Sequence, residues 1–320
     1  MRRILVSPLI GVVLLALLGG WSLFSHPGAP EADAWAAACA VAAGGLLIGW
    51  ALGQADPAMP GLLALAVAVG AVLVTLPESL SGLPTAPPFG YMNANGALLV
   101  GGAAGAVVAT AQRAAPWRLG AALVSVVLAG LCLVEGAQAA TLACLGVAVW
   151  AVLRGRGPAW PWAVLGAVSV AVPALLTVGW AAEVVPRPAV VVDALSAERF
   201  ALWTEAWGLL GDEPLSGVGP GRFSLESPTA ADPDLAWAHS ALLQTGAELG
   251  WVGVGLLVLF AVWALVVLGR DGVLLGALLL PASVDYVLHF GGVLLVSSLV
   301  VGGALALPGT GKPWLTPPSP

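Results

Sequence analysis

The chain has 320 residues, of which 59% are apolar and only 9% charged, and its mean hydropathy is +0.98. Ordinary globular chains carry roughly 25% charged residues to cover their water-facing surface, so this composition excludes a soluble enzyme and turns most of the surface toward lipid. The net charge of −6 leaves no basic patch to meet phosphate backbones and excludes a nucleic-acid-binding role.

An apolar helix needs about 20 residues to cross the hydrocarbon core of a bilayer. Ten apolar runs approach that length: 4–24, 34–53, 60–77, 93–111, 119–134, 137–153, 161–182, 240–268, 272–289 and 291–307. The first follows Met1-Arg2-Arg3 and exceeds the usual core of a signal peptide, so it reads as an uncleaved span. The fifth and sixth are short and separated only by Glu135-Gly136, and the seventh contains Pro173, which is expected to kink it. The runs are continuous and do not alternate, which excludes barrel strands. The expected fold is all-α, a polytopic membrane bundle of about ten helices with one large loop. The spacings Gly45/Gly49/Gly53 and Gly101/Gly105 read as seams where helices approach closely. Cys39, Cys132 and Cys144 lie inside apolar runs without metal-ligand spacing and read as packing residues.

Positive charge sets the expected direction. With the N-terminus inside, Arg2, Arg3, Arg113, Arg118, Arg154, Arg156, Arg270 and Lys312 fall on cytoplasmic segments. The short outer segments 25–33, 78–92 and 135–136 and the turn near Phe290 carry no Lys or Arg. The chain then divides into N-terminal helices (1–182), a large periplasmic loop (183–239), C-terminal helices (240–307) and a cytoplasmic tail (308–320). Loops as long as 183–239 are uncommon without a function, and 12 of the chain's 28 charged residues are concentrated there.

That loop holds three pieces. Ser196 followed by Glu198 marks a helix start, after which Arg199, Trp203 and Trp207 fall on one side. Trp203 is placed to stack on the Arg199 guanidinium; on spacing alone, an interfacial anchoring helix with a snorkelling arginine explains the pattern equally well. Next, Gly217, Gly219 and Gly221 permit a tight turn presenting Arg222, and the absence of a following Gly-Lys-Ser/Thr sets this apart from a P-loop. Finally His239-Ser240 opens the eighth span. A histidine at a helix start is by default interfacial or capping, yet its unperturbed pKa of about 6.5 also suits it to take a proton. Glu248 lies nine positions later, about 180° around a straight helix, and so is not expected to orient His239 directly. Asp285, Tyr286 and His289 close the ninth span; Asp285 is either a functional carboxylate or a structural bond to a neighbouring helix.

Taken in order, Arg199-(x)3-Trp203, the Pro-Leu-x-Gly-Val-Gly-x-Gly-x-Phe stretch 214–223, and His239-Ser240 leading to Gly250 and Gly253 resemble the O-antigen ligase and O-antigen polymerase superfamily, which includes bacterial protein O-oligosaccharyltransferases. Phe89-Gly90-Tyr91-Met92-Asn93-Ala94-Asn95-Gly96 is similar to the family's Asn-rich helix start. The resemblance implies a GT-C-like, metal-independent, inverting glycosyltransferase of the bacterial inner membrane that needs no cofactor. Its implied partners are an undecaprenyl-diphosphate-linked glycan donor, a lipid- or protein-borne acceptor hydroxyl, and the bilayer itself. It further implies His239 as base and Arg199 as the cation on the departing diphosphate, with Arg222, Gly217, Gly219, Gly221, Gln138 and Asn95 as substrate-binding residues. One departure stands out: Gln138 occupies a position where the family carries arginine. A lipid-linked-glycan flippase and a non-catalytic relative remain the alternatives. A flippase calls for ionisable residues in mid-membrane and repeated halves, and a non-catalytic relative rests on Gln138.

Overall fold

The computed structural model describes residues 7–81, 87–154, 160–232 and 235–307, and each of the ten apolar runs is helical in it. The first seven are α1 (Leu9–Ser25), α2 (Ala32–Ala55), α3 (Met59–Ser81), α4 (Met92–Ala109), α5 (Ala115–Val134), α6 (Gln138–Leu153) and α7 (Trp160–Ala181). Three helices follow between the apolar runs: α8 (Ala189–Leu195), α9 (Ala197–Asp212) and α10 (Phe223–Glu226). The last three are α11 (Ala241–Leu268), α12 (Gly272–Val284) and α13 (Gly291–Leu305). No strand occurs among the described residues. Residues 4–6 of the first run, Arg2, Arg3, Arg156, part of the 78–92 segment, and the tail 308–320 with Lys312 lie outside the described residues.

Five helical stretches among the described residues are long and apolar enough to cross a membrane: Ala32–Ala55, Met92–Ala109, Ala115–Val134, Trp160–Ala181 and the joined stretch Ala241–Val284. Leu9–Ser25, Gln138–Leu153, Gly291–Leu305 and the Met59–Val74 part of α3 are shorter and equally apolar in character. Leu73, Leu123, Leu142 and Leu175 are 65–71% exposed, an arrangement that water disfavours and lipid does not. The protein is an integral membrane protein.

α4 forms the centre. Residues 94–108 are buried without a break, and α3, α5, α6 and α13 pack around them. Small side chains make this possible: a Cβ added at Gly101 would lie 2.6 Å from Val296, and one at Gly105 would lie 2.8 Å from Ala64. The Gly45/Gly49/Gly53 seam faces α13. A Cβ at Gly49 would overlap the Leu299 carbonyl, and one at Gly53 would lie 2.6 Å from Ala306. Both expected seams are therefore helix contacts, held by packing where lipid offers no hydrophobic drive.

Two differences from the sequence expectation bear on the site. The ninth run ends as a helix at Val284, so Asp285, Tyr286 and His289 lie in the junction before α13. The eighth is broken at Gly250 (φ 65°, ψ −167°), where a segment of the glycine-rich loop inserts and a Cβ would overlap the Leu215 carbonyl. The break frees backbone groups that helices normally pair internally, and the inserted loop takes them up. Trp251 N donates to Pro214 O (2.8 Å), Val218 N to Ala247 O (2.8 Å) and Gly219 N to Glu248 O (3.1 Å).

At the end of the bundle away from this insertion, Arg154 forks onto Asp271 through Nε and Nη2, both at 2.9 Å, and donates from Nη1 to Ala111 O at 3.0 Å. This ties α6 to the turn before α12 and to the segment after α4.

Gly49→Ala is expected to destabilise the detergent-solubilised protein by about 1–3 kcal/mol through overpacking. Gly44→Ala, with open space around its new methyl, should leave the melting temperature essentially unchanged. Equal melting curves for the two variants would contradict the seam.

Candidate active site

Three segments distant in sequence meet on the carboxylate of Asp285, which caps the C-terminus of α12 and is 2% exposed. α9 supplies Arg199. Its apolar stripe of Phe200, Leu202, Trp203, Ala206 and Leu210 is buried, and this fixes the rotation of the helix. Arg199 Nη2 donates to Asp285 Oδ2 at 3.1 Å, and Nη1 to the Val284 carbonyl at 3.4 Å, so the cation also caps the negative end of α12. The start of α4 supplies its N-cap Tyr91, whose hydroxyl reaches both carboxylate oxygens (2.8 and 2.7 Å), and Asn93 in its first turn, whose Nδ2 donates to Oδ2 at 2.6 Å. Tyr286 N donates to Oδ1 at 2.7 Å.

His239 arrives from the chain leading into α11. Its Nδ1 lies 3.3 Å from Asp285 Oδ1, an ion-pair distance without hydrogen-bond alignment, and its Nε2 is buried with no protein partner. The backbone at His239 is left-handed (φ 47°), unusual for a side-chain-bearing residue. Its surroundings hold it there. The Trp203 indole donates to the His239 carbonyl (3.1 Å), Ala238 N donates to Gln244 Oε1 (2.6 Å), and Ser240 Oγ accepts from Leu243 N at the start of α11.

Burial alone would raise the pKa of Asp285, which lies beyond the end of α12. The adjacent His239 ring, the Arg199 charge and the Tyr91 hydroxyl outweigh it and hold the carboxyl below its ordinary range. The Tyr91 phenol moves the other way, raised first by burial and then by the Asp285 charge, and so stays a donor. The result is a fixed anion that sets the positions of one guanidinium and one imidazole.

The structure thus brings Arg199 and His239 together and assigns other residues elsewhere. Trp203 does not stack on Arg199; it is buried in parallel with Trp180 (6.3 Å) and edge-on to Phe200 (5.1 Å), because the apolar side of α9 faces inward. Arg187 is the cation over an aromatic ring, 5.1 Å from Phe200. Arg222 pairs with Glu226 at 2.8 Å with its side chain 46% exposed, outside the Asp285 cluster. Gly217, Gly219 and Gly221 have φ values of 67°, 106° and 72° and form the turn that docks into the break of α11. Gln138 is exposed at the start of α6. Asn95 is buried, with Nδ2 on Pro87 O (3.2 Å) and Oδ1 accepting from Phe89 N (3.4 Å), so it shapes the turn that carries Tyr91 and Asn93.

Tyr91 and Asn93 lie in the Asn-rich stretch 89–96, and only the fold brings them onto the carboxylate. Glu248 is likewise not against His239, as the helical angle required. It accepts from Trp35 Nε1 (2.8 Å), Gln244 Nε2 (2.9 Å) and Phe223 N (3.4 Å), and so supports the histidine through Gln244.

Asp285→Ala is expected to destabilise the protein by about 2–4 kcal/mol, since it removes the buried partner of a half-buried guanidinium, whereas Glu226→Ala at the exposed Arg222 pair should change little. Thermal unfolding of the purified variants checks this, and equal effects would contradict the arrangement.

Residues 120–258 match the family model described as O-antigen ligase. Neither a curated protein nor a solved structure matches the chain. The matched stretch runs from α5 into α11 and includes Arg199, the glycine turn and His239, while Tyr91 and Asp285 lie outside it and join the site through the fold. Over that stretch the chain is similar to the O-antigen ligase family.

Proposed function

We propose that this protein is a membrane glycosyltransferase that moves a glycan from an undecaprenyl-diphosphate carrier to an acceptor hydroxyl at the outer face of the bacterial inner membrane. The observation that carries the reading is the shared carboxylate: Arg199 and His239 both lie within 3.3 Å of Asp285, at one end of a bundle of apolar helices. In this reading the ten apolar helices all cross, both termini are cytoplasmic, and residues 183–239 form the extracytoplasmic loop.

The chemistry follows from the groups present. The acceptor O–H gives its proton to His239 Nε2 as its oxygen attacks the anomeric carbon. The bond from that carbon to the diphosphate oxygen breaks, and inversion results from attack opposite the leaving group. Negative charge develops on the diphosphate, and Arg199 faces it with N–H donors not engaged by Asp285 or Val284. Asp285 works as a positioning residue: it orients the guanidinium and stabilises the imidazolium as the proton arrives. Trp203 and Gln244 hold the left-handed backbone that presents the ring.

In a host whose surface glycan depends on this protein, His239→Ala is expected to lower transfer by about 10²–10⁴-fold, the range for a lost general base. Arg199→Ala should also abolish display, and Arg222→Ala should retain it. Unchanged glycan display in both the His239 and Arg199 variants would overturn the proposal. The exposed position of Gln138 and the outward pairing of Arg222 leave one guanidinium at the carboxylate, which favours the non-catalytic relative as a second reading. Binding of a lipid diphosphate by the wild-type chain without turnover would select it.

A further inference from the structure

The carboxylate cluster adjoins a set of aromatic rings of which only Tyr91 takes part in it. Tyr286 lies nearly parallel to Tyr91 (4.9 Å, 22°) on one side and to Trp237 (5.9 Å, 22°) on another. His289 sits 4.2 Å from Trp237 and edge-on to Trp35 at 5.9 Å. All five side chains are half-buried. The Trp35 ring is held by the bond from its indole to Glu248 (2.8 Å).

One imidazole here is distinct from the base. His289 Nδ1 lies 3.1 Å from the Tyr286 carbonyl, which can only accept, so Nδ1 carries the proton and Nε2 presents a lone pair. That Nε2 is buried and has no protein partner. Its position beyond α12 leaves it little solvated, and burial pushes its pKa down to about 4, only partly offset by the Tyr286 carbonyl. It is a neutral acceptor at ordinary pH, and a buried acceptor without a donor is unfavourable until a ligand provides one.

A ligand that satisfies this arrangement must combine a flat apolar face with a hydroxyl donor at its rim. A lipid acyl chain offers no donor. A phosphate ester offers only acceptor oxygens to a lone pair and is better served by Arg199. A pyranose ring supplies both features, with axial C–H bonds for an aromatic face and equatorial hydroxyls at the edge. We propose that Trp237, Tyr286 and His289 form a saccharide subsite in which a pyranose ring stacks on Trp237 and donates one hydroxyl to His289 Nε2. The assignment rests on the transferase reading for its placement next to His239, two residues after Trp237 in the chain. His289 is here a specificity residue, and proton transfer stays with His239.

The test uses saturation-transfer NMR on the full-length protein in nanodiscs. The probes are a series of methyl pyranosides with their monodeoxy analogues, and a threonine-containing hexapeptide. Wild type should transfer saturation to C–H protons on one face of a pyranoside and discriminate against one monodeoxy analogue. Trp237→Ala should weaken binding about three- to tenfold, the size of one aromatic stacking contact, and Trp237→Phe should restore most of it. His289→Phe should keep the stacking and erase the discrimination between deoxy analogues. His239→Ala should lose glycan display and keep pyranoside binding, so the subsite and the proposed base fail or stand separately. In transfer assays, Trp237→Ala should raise KM with kcat little changed; a rise for the acceptor places the ring on the acceptor, and a rise for the donor places it on the donor glycan. The subsite is overturned if no pyranoside binds, if only the peptide binds, or if Trp237→Ala and His289→Phe bind as wild type.

Discussion

A single buried anion organises this protein. Asp285 gathers a guanidinium, an imidazole, a phenol, a carboxamide and a backbone N–H, and those groups come from α9, the entry to α11, the start of α4 and the α12–α13 junction. Burying one charge in a low-dielectric setting is unfavourable by several kcal/mol unless partners saturate it. Here saturation requires that four separate segments reach their places together. The ion pair therefore contributes less to net stability than to position, because any arrangement that omits one partner leaves the carboxylate or a cation unmatched.

A second buried carboxylate performs the same task for the glycine-rich loop. Glu248 holds Trp35 from α2, Gln244 from its own helix and the Phe223 amide from the loop. The loop enters where Gly250 interrupts α11, and its backbone replaces the helical hydrogen bonds that the interruption removes. Gln244 then passes the constraint on to the Ala238 amide beside His239. The unusual backbone of His239 is thus held from two directions, by this chain and by the Trp203 indole. Strain of that kind persists only where the surroundings over-determine it.

The bundle beneath supplies rigidity by close approach. Residues 94–108 of α4 are buried on every side, and glycines on α2, α4 and α13 let backbones meet where any side chain would intrude. Such contacts depend on dispersion and on steric fit, since lipid tails compete on equal terms with apolar side chains. Among the described residues, the two ion pairs with a buried carboxylate, Arg199–Asp285 and Arg154–Asp271, lie at helix ends.

The sequence by itself determined that the chain is an apolar helical bundle, because runs of about 20 apolar residues have few other stable forms. It also located the helices of the apolar runs to within a few residues, marked the glycine seams, and singled out Arg199, His239 and the glycine turn, since these signals are local in the chain. Trp203 was legible as important and misread in role: helical spacing shows which residues share a side, and packing decides whether that side faces a guanidinium or the core. Gly250 was legible as a glycine, and only the loop docked against it revealed that the helix breaks there. Asp285 remained ambiguous between function and structure until the fold brought Arg199 and His239, 86 and 46 positions earlier in the sequence, onto its two oxygens. Which charges meet is a property of how helices are arranged in three dimensions, and no periodicity along one chain segment encodes it.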